Sequence, residues 1–218
     1  MRELESDGMR QKTKPCLVSC SVLKDEIEKL VQKGELNADL LLVSKYFHVD
    51  YAQIEKHLRP VIERALKSHL GNVILVYGDL CLGMDNEMKK LAEEYGIVKV
   101  DALNCIDCQL GGKGIFLEAD SHQDLMFFSP GMTDFFSHAR ETMRREGMDE
   151  SAFKQFFRGI RGIIILDTLG NSAELKSKVE KLDTGLPILE TKSVGCDNVK
   201  NIIQEAIERN EKRASNNS

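Results

Sequence analysis

Short, nearly continuous apolar runs alternate along this chain with stretches in which apolar residues recur every three or four positions. The first run, Cys16–Cys20, reads as a buried strand. The stretch VLKDEIEKLVQK follows it, where Leu23, Ile27, Leu30 and Val31 fall on one face of a helix. A second run, Leu40–Val43, leads to His48, after which Asp50 caps a helix that turns Ile54, Leu58, Val61, Ile62, Ala65 and Leu66 inward. Pro60 falls inside that pattern and is expected to kink or split the helix.

The alternation continues. Val73–Tyr77 is the third strand, the helix MKKLAEEY closes at Gly96, and Ile97–Asp101 is the fourth strand. After the loop NCIDCQLGGKG come a β-like run DLMFFS, a turn at Pro130-Gly131 and a mostly helical region, Met132–Phe157. The unit then repeats as GIIILD, the turn TLG, a helix from Asn171, the run LPILET and a last helix NVKNIIQEAIER. Repeated β-then-α units with near-continuous apolar strands predict an α/β fold: a single domain over 13–211 with a mainly parallel sheet covered by helices on both faces, a Rossmann-like three-layer arrangement. The polar ends, 1–12 and 212–218, are expected to be flexible.

Composition narrows the function classes. A net charge of −5 and no long basic stripe argue against a nucleic-acid binder held by phosphates. The local cluster Arg140, Arg144 and Arg145 reads as a solvated helix face. No run approaches the ~20 apolar residues that span a bilayer, and the charged start MRELESDGMRQKTK lacks a secretory core, so no membrane partner and a cytoplasmic location are expected. In a reducing cytosol six cysteines are more readily buried, metal-bound or catalytic thiols than disulfides.

Four soft donors occupy a telling place: Cys20, His48, Cys81 and Cys108 each sit at or just past the C-terminal end of a predicted strand. In a parallel sheet those ends share one edge, where α/β proteins bind ligands. Thiolate and imidazole suit zinc, an iron–sulfur cluster or cobalt better than magnesium or calcium. Cys105 and Cys108 form a C-x-x-C pair that can clamp a metal from one turn or cycle as a dithiol. A chance scatter of buried thiols is the bland alternative, and Cys16, inside the first strand, is read as simple packing. Glu26 can face the same edge as a ligand, a base behind the ligands or a proton relay, or it is a solvated helix position; Asp107 can orient a ligand or the turn. The Gly111–Gly114 stretch lacks phosphate-loop spacing. Asp167–Ser172 opens a helix where free N–H groups can hold an anion, although Asn171 and Glu174 also fit a capping box.

The ordered series LVSC…VLKDEI (Cys20, Glu26), FH (His48), YGDLCLG (Tyr77, Gly78, Cys81, Gly83), DCQLGG (Asp107, Cys108, Leu110, Gly111) and SPGM (Pro130, Gly131) resembles the domain-of-unknown-function family numbered sixteen thirty-eight, well over Leu17 to Phe136 and loosely beyond. The chain departs from the family pattern in the spacing between Gly78 and Cys81 and in carrying Cys105. The resemblance implies that Cys20, His48, Cys81 and Cys108 act together as metal ligands; Cys105, which lies outside the family pattern, is a fifth candidate donor through its C-x-x-C pair with Cys108. It also implies that Tyr77, Gly78, Gly83 and Gly111 line a cofactor site. Its members occur in methanogens and other anaerobes, often beside corrinoid-dependent methyltransferase genes. The implied function is a metal- or metallocofactor-binding accessory protein of anaerobic one-carbon metabolism, carrying zinc, an iron–sulfur cluster or a corrinoid. A corrinoid methyltransferase system or a redox protein would be its partner. A zinc-thiolate methyltransferase-type enzyme and a dithiol oxidoreductase using Cys105 and Cys108 are the alternatives. The corrinoid-binding pattern D-x-H-x-x-G is absent around His48.

Overall fold

A computed structural model describes residues 14–216, so the 1–12 segment expected to be flexible lies outside the described residues, as do 217 and 218. Strand β1 (Cys16–Cys20) is buried throughout and lies inside a four-stranded sheet with β2 (Asp39–Val43), β3 (Val73–Val76) and β4 (Val98–Lys99), in the order β2-β1-β3-β4. Every pairing is parallel: Cys20 lies level with Val43, and Ser19 with Val76. The ends of β1, β2 and β3 therefore share one edge, as the apolar pattern requires.

The predicted parallel α/β architecture is present, but its strands fall in two sheets. A second, three-stranded parallel sheet, ordered β5-β6-β7, is formed by β5 (Leu125–Phe128), β6 (Gly162–Asp167) and β7 (Ile188–Ser193). The division begins at the fourth strand, predicted over five residues and forming a ladder over two. Its Lys99 turns to an ion pair with Asp79 at 2.9 Å, and the chain then enters helices α4 (Cys105–Leu110) and α5 (Ile115–Ala119) before β5 starts.

Side-chain alternation on β1 sorts the first core. Cys16, Val18 and Cys20 pack with Ile54, Leu58, Ile62 and Ala65 of α2 (Tyr51–Ser68) and Met88 and Leu91 of α3 (Glu87–Glu94). Leu17 faces the other way, onto Ile27 and Leu30 of α1 (Lys24–Gln32) and Ile202, Ile203 and Ala206 of α9 (Asp197–Asn216). Each such Leu or Ile contributes about 1.5–3 kcal/mol on burial. The last helix thus leaves the second sheet and returns to cover the first. Pro60 does not split α2: its position is exposed, so the Lys56 carbonyl that loses an N–H partner can be hydrated.

On the second sheet, Phe128, Ile163 and Ile165 pack with Phe153 of α7 (Glu150–Gln155) and with Leu175 and Val179 of α8 (Ser172–Lys181). Its other face, Phe127, Ile164 and Leu166, takes Ile106 of α4. Because Cys108 belongs to the core of the first sheet, the short α4 is wedged between both cores. Pro130-Gly131, expected as a turn, instead opens α6 (Pro130–Arg145): proline is suited to the first helical turn, where its missing N–H costs nothing. A Cβ on Gly131 would lie 2.0 Å from the Val22 carbonyl oxygen, so α6 can seat against the end of β1 only with glycine there. Among the described residues no helix is long and apolar enough to cross a membrane.

Candidate functional site

Local capping brings the strand ends together. Cys20 caps a 3-10 turn, Ser21–Leu23, its Sγ accepting the Val22 N–H at 3.4 Å. After β2, Ser44 caps a second 3-10 turn, Lys45–Val49, and the Lys45 N–H donates to Ser21 Oγ at 2.8 Å, tying the two turns to each other. His48 Nε2 thereby stands 3.2 Å from Cys20 Sγ. Phe47 stacks on His57 of α2 with ring centroids 3.7 Å apart, which anchors the turn from behind.

Past β3 the chain runs through Tyr77 and Gly78 into a 3-10 turn, Asp79–Cys81. A Cβ on Gly78 would come within 2.3 Å of the Leu103 and Asn104 backbone; its absence lets Asp79 and Leu80 donate to the Ala102 and Leu103 carbonyls, both at 2.9 Å. Cys81 is thus held beside the start of α4. Asn104 caps that helix by accepting the Asp107 N–H at 2.8 Å, and the C-x-x-C pair, expected in a loop, lies in its first turns. The spacing of four residues was too short to show a helical period. Asp107 is fully buried, and its carboxylate accepts the N–H groups of Leu103, Gly114 and Phe116 at 2.9, 3.1 and 2.9 Å. Of its two expected roles it performs the one of shaping the turn.

Electrostatics link the thiols. Burial pushes Cys20 up to about 12, with the charge of Cys81 adding to the rise and Lys45 opposing it. Burial likewise raises Cys81 to about 11, with Lys99 opposing. Cys105 and Cys108 are held well above the ordinary thiol range, first by burial and then by Cys81. His48 is pushed down by burial, which favours neutral imidazole, the form that binds metals. Tyr77 is raised by burial and by Cys20 and Cys81, and its buried hydroxyl has no hydrogen-bond partner. The five predicted donors are therefore neighbours at one sheet edge. Cys20 and His48 stand within hydrogen-bond distance, and among the described residues no three His, Cys, Asp or Glu side chains stand at the spacing of ligands around one metal ion.

The remaining predicted residues take other places. Gly83 and Gly111 have φ of +144° and +127°, so both serve chain reversals near the site. Cys16 is enclosed in the core, and Cys196 donates to the Thr168 carbonyl at 3.1 Å, both away from the cluster. Glu26 is buried, not solvated, and faces the second sheet, where Thr168 Oγ1 donates to it at 2.6 Å and Gln109 Nε2 at 3.1 Å. The anion-binding reading of Asp167–Ser172 is corrected: Asp167 Oδ1 itself accepts the N–H groups of Leu169, Gly170 and Asn171 at 3.1, 2.7 and 3.0 Å. The Asn171 side chain makes no capping bond, so the expected capping box is absent. Thr168 and Gln109 were not singled out in the sequence, where a lone threonine and glutamine carry no spacing signal. The arginine cluster is a salt-bridged face, Arg140 pairing with Glu150 at 2.6 Å and Arg144 with Glu141 at 3.0 Å.

The fold and these positions define a parallel α/β protein with a part-buried cysteine–histidine cluster at the C-terminal edge of its larger sheet. Its sequence places it further: the profile of the family described as protein of unknown function (DUF1638) matches residues 42–203, and the chain belongs to that family. The match takes in the C-terminal third, where the resemblance was loose, and His48, Cys81, Cys105 and Cys108; Cys20 and Glu26 precede it. Comparison with curated proteins and with solved structures gives no match.

Proposed function

We propose that this protein binds a thiophilic metal or metallocofactor through Cys20, His48, Cys81, Cys105 and Cys108, as an accessory protein of anaerobic one-carbon metabolism. The observation that carries the reading is the Cys20–His48 contact at 3.2 Å with three further thiols near enough to raise one another's pKa. Soft donors fit zinc or an iron–sulfur cluster, and fit magnesium or calcium poorly because the clustered donors are sulfur and imidazole nitrogen and the Asp107 carboxylate is taken up by backbone N–H groups. Bound zinc would supply Lewis acidity that keeps a thiol ionised; a cluster would supply electron transfer. The chain's own part is to hold neutral imidazole and clustered thiols, whose ionisation only a nearby cation makes favourable. The family resemblance supplies the methyl-transfer setting.

The same contact favours a second reading, a cysteine nucleophile with a histidine base, since 3.2 Å lies within proton-transfer reach. It includes the zinc-thiolate methyltransferase alternative if metal is also present. The dithiol alternative has less support, because redox-active C-x-x-C thiols are tuned downwards and burial raises both of these. Anaerobic purification with elemental analysis and absorption spectroscopy tests the proposal. Stoichiometric zinc, iron or cobalt that is lost in Cys20→Ser supports it; metal-free protein with six titratable thiols overturns it. Metal-free protein whose Cys20 alkylates quickly, and slowly in His48→Ala, selects the nucleophile reading.

A further inference from the structure

Strand β7 (Ile188–Ser193) forms one edge of the second sheet, with β6 as its one strand neighbour among the described residues. Four of its six residues are exposed, whereas β5, at the opposite edge, is buried or half-buried along its length. The path of the chain explains the asymmetry: α9 follows β7 but runs back to pack on the first sheet. Parallel pairing fixes which backbone groups face outward. The Val194 N–H donates to the Asp167 carbonyl at 3.0 Å, and Asp167 lies level with Ser193. Residues bonded to a neighbour alternate along a parallel ladder, so Thr191 and Ser193 turn their N–H and C=O groups away from β6. Such an open row is a template for another strand. The register shift at Ile163/Ile164 precedes Glu190, so the segment from Glu190 to Ser193 is regular.

The charges on β7 select the strand that fits. Two copies of one edge pair antiparallel about a twofold axis perpendicular to the sheet, which sets one residue opposite its own counterpart. With the axis at Thr191, the outward groups of the two Thr191 residues meet as a hydrogen-bonded pair, and Glu190 of each copy faces Lys192 of the other. Glu190 lies level with Ile164 and Lys192 with Leu166, so both charges share one face, where they stand 3.4 Å apart within a single chain. An axis at Glu190 or at Lys192 would instead oppose like charges, so the order Glu-Thr-Lys favours one register. We propose that β7 is a homodimer interface, pairing antiparallel with β7 of a second copy about Thr191 and joining two three-stranded sheets edge to edge. Charge on an edge strand commonly blocks association. Here the opposite charge two residues away makes the edge self-complementary, and strands that are neutral or of one sign fit it poorly. Because the contact is twofold, each copy uses up the other's open edge and assembly stops at the dimer. The interface uses no residue of the cysteine–histidine cluster, so it does not depend on a metal there.

Sedimentation-velocity ultracentrifugation of the purified full chain over a range of concentrations tests this. Wild type is expected to dimerise, and Glu190→Lys and Lys192→Glu each to dimerise about tenfold or more weakly, because like charges then lie opposite each other at both pairs. Mixing the two single variants is expected to restore a dimer holding one chain of each kind, and the double variant Glu190→Lys/Lys192→Glu to dimerise as wild type does. Damage to the strand would not be rescued by mixing. A monomeric wild type, undiminished dimerisation of both single variants, or a mixture that stays monomeric would each overturn the proposal. Should a single variant fail to fold, Thr191→Pro decides: it removes an outward N–H that β6 does not use, at an edge position that tolerates proline. A monomer then supports the interface and an undiminished dimer overturns it.

Discussion

Replacing Gly78 with alanine probes the joint that carries Cys81 to Cys105. The new Cβ would stand 2.3 Å from Leu103 and Asn104 main-chain atoms, which no side-chain rotation can relieve. The loop after β3 has to lift from the loop before α4, breaking the bonds from Asp79 N to Ala102 O and from Leu80 N to Leu103 O. Two backbone bonds at about 1 kcal/mol each, plus the displaced packing, give a loss of about 2–4 kcal/mol. Urea unfolding followed by circular dichroism measures it. Gly147→Ala is the control: its φ is +79° with nothing within 4 Å of a Cβ, so only about 1 kcal/mol of left-handed strain is expected. Because the lifted loop carries Cys81 away from α4, Gly78→Ala should also retain less metal than wild type. Wild-type stability and full metal retention in Gly78→Ala would refute the reasoning.

Other substitutions test separate links. Asp167→Ala removes the acceptor of three N–H groups and should cost about 2–4 kcal/mol in denaturant unfolding. Burial opposes ionisation of Asp167, but Ser172 and the Asn171, Gly170 and Leu169 N–H groups outweigh it and hold the carboxyl below its ordinary 3.8. Its contribution is therefore present above that value and lost as pH falls through the lower folded one, so wild type should lose stability below about pH 4 more steeply than Asp167→Asn. Pro60→Ala restores an N–H to α2 at an exposed position and should raise the thermal midpoint, with a gain of about 1–3 kcal/mol; an unchanged or lower midpoint contradicts the account of that helix. Cys16→Ala, in the core, should cost about 1–2 kcal/mol while keeping metal, whereas Cys20→Ser should lose metal at a similar stability cost.

The parts of the structure legible in the sequence are those governed by local period. The buried strand Cys16–Cys20 and the helix faces of Ile27 and Leu30, or Ile54, Leu58 and Ile62, follow from apolar spacing, and parallel pairing follows from strands buried on both faces. Strand placement also put Cys20, His48 and Cys81 at one edge, which the register of β1, β2 and β3 reproduces. What depends on contacts between distant residues was hidden. Division into two sheets turns on the short β4 and the wedge of α4, and nothing periodic marks either. Asn171 stands at the cap position of α8 but its side chain makes no capping bond, while Asp167, four residues earlier, orders the loop before the helix by accepting the Leu169, Gly170 and Asn171 N–H groups. Glu26 pairs with Thr168 across 142 residues, a separation no local pattern reports.

X-ray absorption at the metal edge of anaerobically reconstituted protein tests the central claim most directly. For zinc, the account predicts a first shell dominated by sulfur at about 2.3 Å with one imidazole nitrogen at about 2.0–2.1 Å, losing a sulfur in Cys20→Ser and the nitrogen in His48→Ala. An oxygen-only shell, or a sulfur–nitrogen shell unchanged in both variants, would contradict it.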